Sequence, residues 1–184
     1  MHMNEPSQLT YQEFLEFIAD KDEQYEYVDG HAVAMGRPSK IHQRIALEIG
    51  TELKIHLRGQ RCDVYLDTRA WTGARDRVPD ITVTCSDHDL DSTDEVLRSP
   101  KLVIEILSKN RGDDLDAKID EYESISAIEE YIVIDSRRRW LRRYYRNDHG
   151  KFEFDAVRIS GTVRLASVGY TLDIDALYRI VRLQ

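Results

Sequence analysis

The stretch KLVIEILSKN, Lys101 to Asn110, places an acid in the middle of an apolar run. Leu102, Ile104 and Ile106 fall on one face of the implied strand, and Val103, Glu105 and Leu107 fall on the other. This is the near-continuous pattern of a strand covered on both faces. A carboxylate there costs several kcal/mol unless it is neutralised, paired or bound to a cation, so Glu105 needs a partner. Working outward, EYIVID (130–135) reads as a second buried strand, and VPDITVTC (78–85) as a third with Pro79 at its start, where a missing N–H is tolerated. Asp80 follows that proline. Two acids therefore stand on consecutive predicted strands, and if those strands pair, the carboxylates can converge. Two readings of the pair stay open. In one, Asp80 and Glu105 share a hard cation such as Mg²⁺ or Mn²⁺. In the other, Asp80 caps a turn and Glu105 meets a buried Arg or Lys.

The flanking elements frame these strands. Thr10 and Glu13 have capping-box spacing before Phe14, Leu15, Phe17 and Ile18, which predicts a short helix. YEYVDGHAVAM predicts a hairpin around Asp29-Gly30. Ile41, Ile45, Ile49 and Leu53 recur every four positions up to Gly59, marking a long amphipathic helix. RCDVYLDTRAWT (61–72) reads as one β-rich run, and Leu115, Ile119 and Tyr122 mark a second helix in DDLDAKIDEYESI. The order is helix, three strands, helix, strand, an α/β layered fold. After Ser136 come RRWLRRYYR, a turn at Asn147 to Gly150, KFEFDAVR and a terminal DIDALYRIV. The expectation is one domain over 1–184, with 1–9 as a disordered or tag-derived leader beginning Met1-His2-Met3.

Composition narrows the function. The 184 residues carry a net charge of −8 and 33% charged side chains, which argues against coating nucleic acid by bulk electrostatics but leaves room for a local basic patch. Cys62 and Cys85 are the only cysteines, and with no CxxC pair they read as reduced core thiols of a cytoplasmic protein. No stretch approaches the roughly 18 apolar residues of a membrane span, and no signal-peptide pattern appears. Asp87, Asp89 and Asp91 imitate the start of a calcium loop, but Ser92 and Arg98 occupy the turn and bidentate positions, so this reads as a solvated acidic loop. No HExxH, Gly-rich phosphate cradle or nucleophile elbow supports a zinc protease, nucleotide hydrolase or serine hydrolase. Six arginines between Arg137 and Arg146, interleaved with Trp140, Tyr144 and Tyr145, read as an exposed strand edge guarded by charge, with a phosphate-tracking surface as the second option.

Tyr25-Glu26 with Asp29-Gly30, then Pro38, Ser39 and His42, Pro79-Asp80, Glu105-Ile106-Leu107-Ser108, Arg111 with Asp114-Leu115, Lys118, Tyr122, and Glu130-Tyr131 before Asp135 resemble the Uma-two family of restriction-endonuclease-like proteins, within the PD-(D/E)XK nuclease superfamily. The match runs in order from about Thr10 to Asp135. The resemblance implies a restriction-endonuclease-like core with an N-terminal helix and hairpin and a C-terminal β-rich extension. It implies a Mg²⁺- or Mn²⁺-dependent endonuclease hydrolysing phosphodiester bonds of nucleic acid, DNA first. Asp80 and Glu105, with the backbone carbonyl of Ile106, would be the metal ligands. The superfamily lysine two places after the second acid is replaced here by Leu107, and Lys118 on the following helix takes its role. Glu26 would add a ligand or base, and His42 a secondary phosphate contact. Departures at Lys109, Ile132 and Ser136 touch packing more than chemistry. A catalytically silent module binding nucleic acid or protein is the alternative, and a small-molecule metal hydrolase is disfavoured by the lack of a His cluster. A homodimer suits an enzyme that cuts two strands.

Overall fold

The computed structural model describes residues 8–108 and 115–180. Met1-His2-Met3, Lys109, Arg111 and Asp114 lie outside the described residues. Leu9 belongs to the fold rather than to a loose leader, because its amide donates to the Gly30 carbonyl and its own carbonyl accepts from Tyr27.

Helix α1 (Tyr11–Ile18) is opened by the full Thr10/Glu13 capping box and buries Phe14. Strands β1 (Tyr25–Val28) and β2 (His31–Ala34) pair antiparallel through Asp29 (φ 50°) and Gly30 (φ 84°). Positive φ at both turn residues matches the right-handed twist of the flanking strands. Helix α2 (Lys40–His56) is capped by Ser39, which accepts from the His42 amide. Its four-residue stripe of Ile45, Ile49 and Leu53 is fully buried, contributing about 1.5–3 kcal/mol per side chain.

From there the chain builds two sheets. Strands β3 (Asp63–Leu66), β4 (Arg69–Trp71), β5 (Asp76–Arg77) and β6 (Ile81–Thr84) precede helix α3 (Asp87–Asp91), β7 (Val96–Leu97) and β8 (Pro100–Leu107). Helix α4 (Leu115–Ser124) then crosses to β9 (Glu130–Asp135), followed by β10 (Leu141–Arg146), β11 (Phe152–Phe154), β12 (Thr162–Leu165), β13 (Tyr170–Asp173) and α5 (Ile174–Ile180). The central sheet has the order β11-β10-β9-β8-β6-β3, with β8 and β9 parallel, as a helical crossover through α4 requires. A second sheet has the order β2-β1-β5-β4-β7, and β12 and β13 form a separate ribbon.

The run 61–72 is therefore not one strand. At Asp67 the backbone turns to φ 48°, a region uncommon for a residue other than glycine, and the chain leaves the central sheet for the second one. The alternation along the central strands sorts side chains onto two faces. Ile81, Ile104 and Ile132 meet α2 and α5 on one face, while Val103, Tyr131 and Val133 meet α4 on the other. Among the described residues, no helix is long and apolar enough to cross a membrane.

Three further expectations are corrected. Cys62 and Cys85 form a disulfide, with Cα atoms 4.1 Å apart. The antiparallel register pairs Asp63 with Thr84, so the next residues outward face each other directly, a relation that sequence spacing conceals. The arginines of 137–146 do not guard an exposed edge: β10 lies between β9 and β11, and most of the cluster is held by acids and carbonyls of the same chain, while Arg142 stacks over Trp140 and Phe154. Arg143 reaches Glu130 and Asp155, Arg137 and Arg138 hold Asp135, Arg139 holds Asp175, and Arg146 donates to the carbonyls of Glu123, Ile125 and Ile128. The acidic segment is helix α3 rather than a solvated loop. Asp89 is buried there, accepting from the Thr84 hydroxyl and the Arg98 and Ser99 amides, while Asp87 and Asp91 pair with Arg61.

Candidate active site

The site sits where β6 and β8 meet α4 and the β1–β2 hairpin. Pro79 ends the short β5–β6 connection, and Asp80 precedes β6. Its carboxylate accepts from the Ile106 amide at 2.5 Å and contacts His42 Nε2 at 3.0 Å. Both Asp80 and His42 are buried. Ile106 directly follows Glu105, so the two acids are brought to the same end of the β6–β8 pair. In a strand the N–H and C=O of one residue face the same neighbour, so the Ile106 carbonyl faces the Asp80 side as well. The Leu107 carbonyl, one residue on, accepts instead from Ser136 on the β9 side, consistent with that alternation.

Glu105 projects toward α4 and answers for its burial there. Lys118 Nζ donates to Glu105 Oε1 at 2.8 Å, and the Tyr122 hydroxyl donates to the same oxygen at 3.0 Å. Lys118 and Tyr122 are one helical turn apart, so both reach one carboxylate. Lys118 also lies 3.6 Å from Glu26 Oε1 and is only 9% exposed, the position of a side chain that runs along the buried stripe with its ammonium turned inward.

Glu26 is buried on β1, with Oε2 accepting from Arg77 at 2.9 Å and Oε1 from the Val78 amide at 3.2 Å. Burial alone would raise its carboxyl pKa, but Lys118, Arg77 and the Val78 amide together hold it below the ordinary carboxylate range. Arg77, itself fully buried, also reaches Glu121, which in turn binds Arg75 and the Thr72 hydroxyl. Glu121 follows the same balance: burial raises its carboxyl, and Arg77 with Thr72 brings it below the ordinary value. Arg75 continues to Asp29 in the hairpin turn. The result is a chain of alternating charge running Asp29, Arg75, Glu121, Arg77, Glu26, Lys118, Glu105, which clamps the second sheet to α4 and delivers the ammonium to the strand acid.

A cleft of about 430 Å³ opens onto this group, with Glu26, Glu105, Lys118 and Tyr131 in its wall and Arg37 at its rim. Asp80 lies beneath that wall at 2% exposure. Among the described residues there is no cluster of three or more His, Cys, Asp or Glu side chains arranged as a metal cage.

Sequence reasoning missed Arg77 and Glu121, and treated Tyr122 and Tyr131 as pattern rather than as parts of the site. Two signals pointed to them. Arg77 immediately precedes Val78-Pro79-Asp80 in a β-rich run, where an arginine demands acids, and Tyr122 stands one turn beyond Lys118.

The fold agrees with comparisons to known proteins. Residues 11–173 match the Uma2 family, described as "Putative restriction endonuclease", and the chain belongs to that family. It is 29% identical over 180 residues to "Uncharacterized protein slr1290" of Synechocystis, covering 93% of this chain and 92% of the relative. It is 23% identical to a second Synechocystis protein, sll1609, over 168 residues, covering 82% of this chain and 95% of that one. A crystal structure described as "a putative nuclease belonging to DUF820", from Anabaena variabilis, superposes with a TM-score of 0.79 at 20% identity, covering 94% of this chain and 99% of the other. The fold is the restriction-endonuclease-like α/β fold.

Proposed function

We propose that this chain is a metal-dependent endonuclease that hydrolyses phosphodiester bonds in nucleic acid, with DNA as its substrate. The observation that carries the reading is the placement of Lys118 Nζ 2.8 Å from Glu105, beside the strand end that holds Asp80. Those three residues come from β8, α4 and the entry to β6, and nothing in core packing alone calls for a cation and two acids together there.

The donor set suits Mg²⁺ or Mn²⁺. Asp80, Glu105 and the Ile106 carbonyl offer hard oxygens, and magnesium is commonly held by one or two carboxylates together with water and substrate phosphate rather than by a closed protein cage. Bound there, the ion would supply Lewis acidity toward the phosphate and acidify a coordinated water. The chain's own groups have separable tasks. His42 and the Ile106 amide fix the Asp80 carboxylate, and Tyr122 fixes Glu105. Lys118 donates toward the attacking water or a phosphate oxygen, a role that suits a compact, mobile ammonium beside anions. Glu26 has both oxygens engaged by Arg77, Val78 and Lys118, so it acts by aiming the lysine. The 1–184 chain works as one unit, and a homodimer would place two such sites on opposite strands.

The test is incubation of purified protein with duplex, single-stranded and supercoiled DNA and with RNA, in Mg²⁺, in Mn²⁺ and in EDTA. Cleavage in either metal that disappears in EDTA and in Asp80→Ala is the expected result. A wild-type protein that binds DNA but leaves every substrate intact in both metals would instead mark a silent module, with Lys118 serving only as the counter-charge of Glu105.

A further inference from the structure

Tyr131 stands on β9 opposite Val103 of β8, with its ring between Tyr122 at 4.9 Å and Tyr144 at 5.7 Å between centroids. The residue is 0% exposed, yet it forms part of the cleft wall beside Glu105 and Lys118. Its hydroxyl has no hydrogen-bond partner among the described residues. Two other buried tyrosines set the contrast. Tyr122 donates to Glu105, and the Tyr178 hydroxyl lies 3.0 Å from the carbonyls of both Asp135 and Trp140 and accepts from the Trp140 amide.

A buried hydroxyl left unsatisfied costs about 1–3 kcal/mol, and phenylalanine would fill the same space between the two rings without that cost. Packing therefore explains the ring of Tyr131 and not its oxygen. The oxygen makes sense as a group that waits for something entering the cleft. A phenol, whose ordinary pKa is about 10, carries its proton at neutral pH and can donate. Glu105 already receives donors from Lys118 and Tyr122, and Asp80 receives the Ile106 amide and lies against His42. The entering partner is thus an acceptor, and an anionic one suits a wall that also presents an ammonium.

We propose that the Tyr131 hydroxyl is a substrate-contacting donor that hydrogen-bonds a non-bridging oxygen of the phosphate held in the cleft. The proposal rests on the nuclease reading above. It adds to that reading a neutral donor, which strengthens the grip on phosphate without adding charge beside Lys118.

Tyr131→Phe removes the oxygen and keeps the ring. Without ligand, its melting temperature should equal that of wild type or exceed it by up to about 5 °C, because an unsatisfied group has gone. Tyr122→Phe, which breaks a bond to Glu105, should melt lower and provides the reference. Calorimetric titration with Mn²⁺ alone should give affinities for Tyr131→Phe and wild type that agree within about twofold. With Mn²⁺ present, affinity for thymidine 3′,5′-bisphosphate should fall about tenfold or more, the scale of a hydrogen bond to a charged group. Single-turnover DNA cleavage should fall about a hundredfold. A variant that melts below wild type and binds the bisphosphate with wild-type affinity would show the hydroxyl to be structural and overturn the proposal. Equal bisphosphate affinities at unchanged stability would overturn it as well while leaving the nuclease reading intact. If wild type neither binds the bisphosphate nor cleaves DNA, the nuclease reading falls first and this inference with it.

Discussion

The two faces of the central sheet are cut from the same strands and do opposite work. On β8, Leu102, Ile104 and Ile106 join Ile81, Val83, Ile132 and Ile134 in an aliphatic layer beneath α2 and α5. One residue out of phase, Val103 and Glu105 join Tyr122, Tyr131 and Tyr144 beneath α4. The aliphatic layer needs only shape and volume, since dispersion and apolar burial have no directional demands. The α4 face depends on which donor meets which acceptor, because each of its buried polar groups is costly unless it is partnered. Period-two alternation lets one eight-residue strand serve both purposes. The comparison predicts that substitutions on the first face reduce stability and leave the chemistry in place, while substitutions on the second reduce the chemistry whether or not they also cost stability.

The largest effect on stability should come from the aliphatic face. Ile104 is fully buried and lies between Ile81 and Ile132 in register. Ile104→Ala should cost about 2–5 kcal/mol, read as a lower urea midpoint, while the activity of the remaining folded protein stays near wild type. Lost activity per folded molecule would mean that the two faces are not separable.

Lys118→Ala tests the other side. Cleavage should fall about a hundredfold, the scale for removing one donor to transition-state charge, while Mg²⁺ still binds in calorimetry. The loss of the ammonium leaves Glu105 and Glu26 less compensated, so metal affinity should hold or tighten. Wild-type cleavage in this variant would make Lys118 a structural counter-ion and leave the catalytic cation unidentified.

The aliphatic face was the more legible in sequence, for a physical reason. Its signal is a period, and periods survive without knowing which strands are neighbours: the stripe of Ile45, Ile49 and Leu53 and the alternation of 101–107 both read directly. Glu105 was legible because an acid inside such a run violates the period. Lys118 was singled out by the family resemblance, and its place beside the Leu115–Ile119–Tyr122 stripe only allowed the inward position. What the pattern could not carry was partnership across long separations. Arg77 meets Glu121 from 44 positions away, and nothing local in either residue names the other. The same blindness hid the Cys62–Cys85 pairing, which follows from strand register. It also made the arginines of 137–146 look like a guarded edge, because several of their acids lie far off in sequence, at Glu130, Asp155 and Asp175. Asp67 was missed because a run of β-formers does not say where a strand leaves one sheet for another.

The smallest expected effect lies in the charge chain that joins the α4 face to the second sheet, and it shows in acid. Glu26 and Glu121 are held below the ordinary carboxylate value of 4.5 in the folded protein, against the burial that would raise them. A carboxylate with a lowered folded value binds fewer protons folded than unfolded. Its contribution is fully present above that ordinary value and is lost as pH falls through the folded one. Asp76 works the other way. Burial raises its carboxyl despite Arg69 and Tyr11, so acidification favours its folded form and offsets part of the loss. Asp29 in the same chain, and Glu13, Glu123, Asp135 and Asp175 elsewhere, are lowered too, so the net result should be a fall in the urea midpoint on acidification from about pH 5 that Asp76 offsets only in part. Asp76→Asn should steepen that fall, because the opposing group is gone. Glu121→Gln should flatten it while lowering the midpoint at neutral pH, since Arg77 and Arg75 lose a charged partner. The aliphatic face has nothing to titrate, so Ile104→Ala should shift the whole pH profile downward without changing its shape. A changed shape in that variant would mean that the packing layer and the charged layer are energetically one.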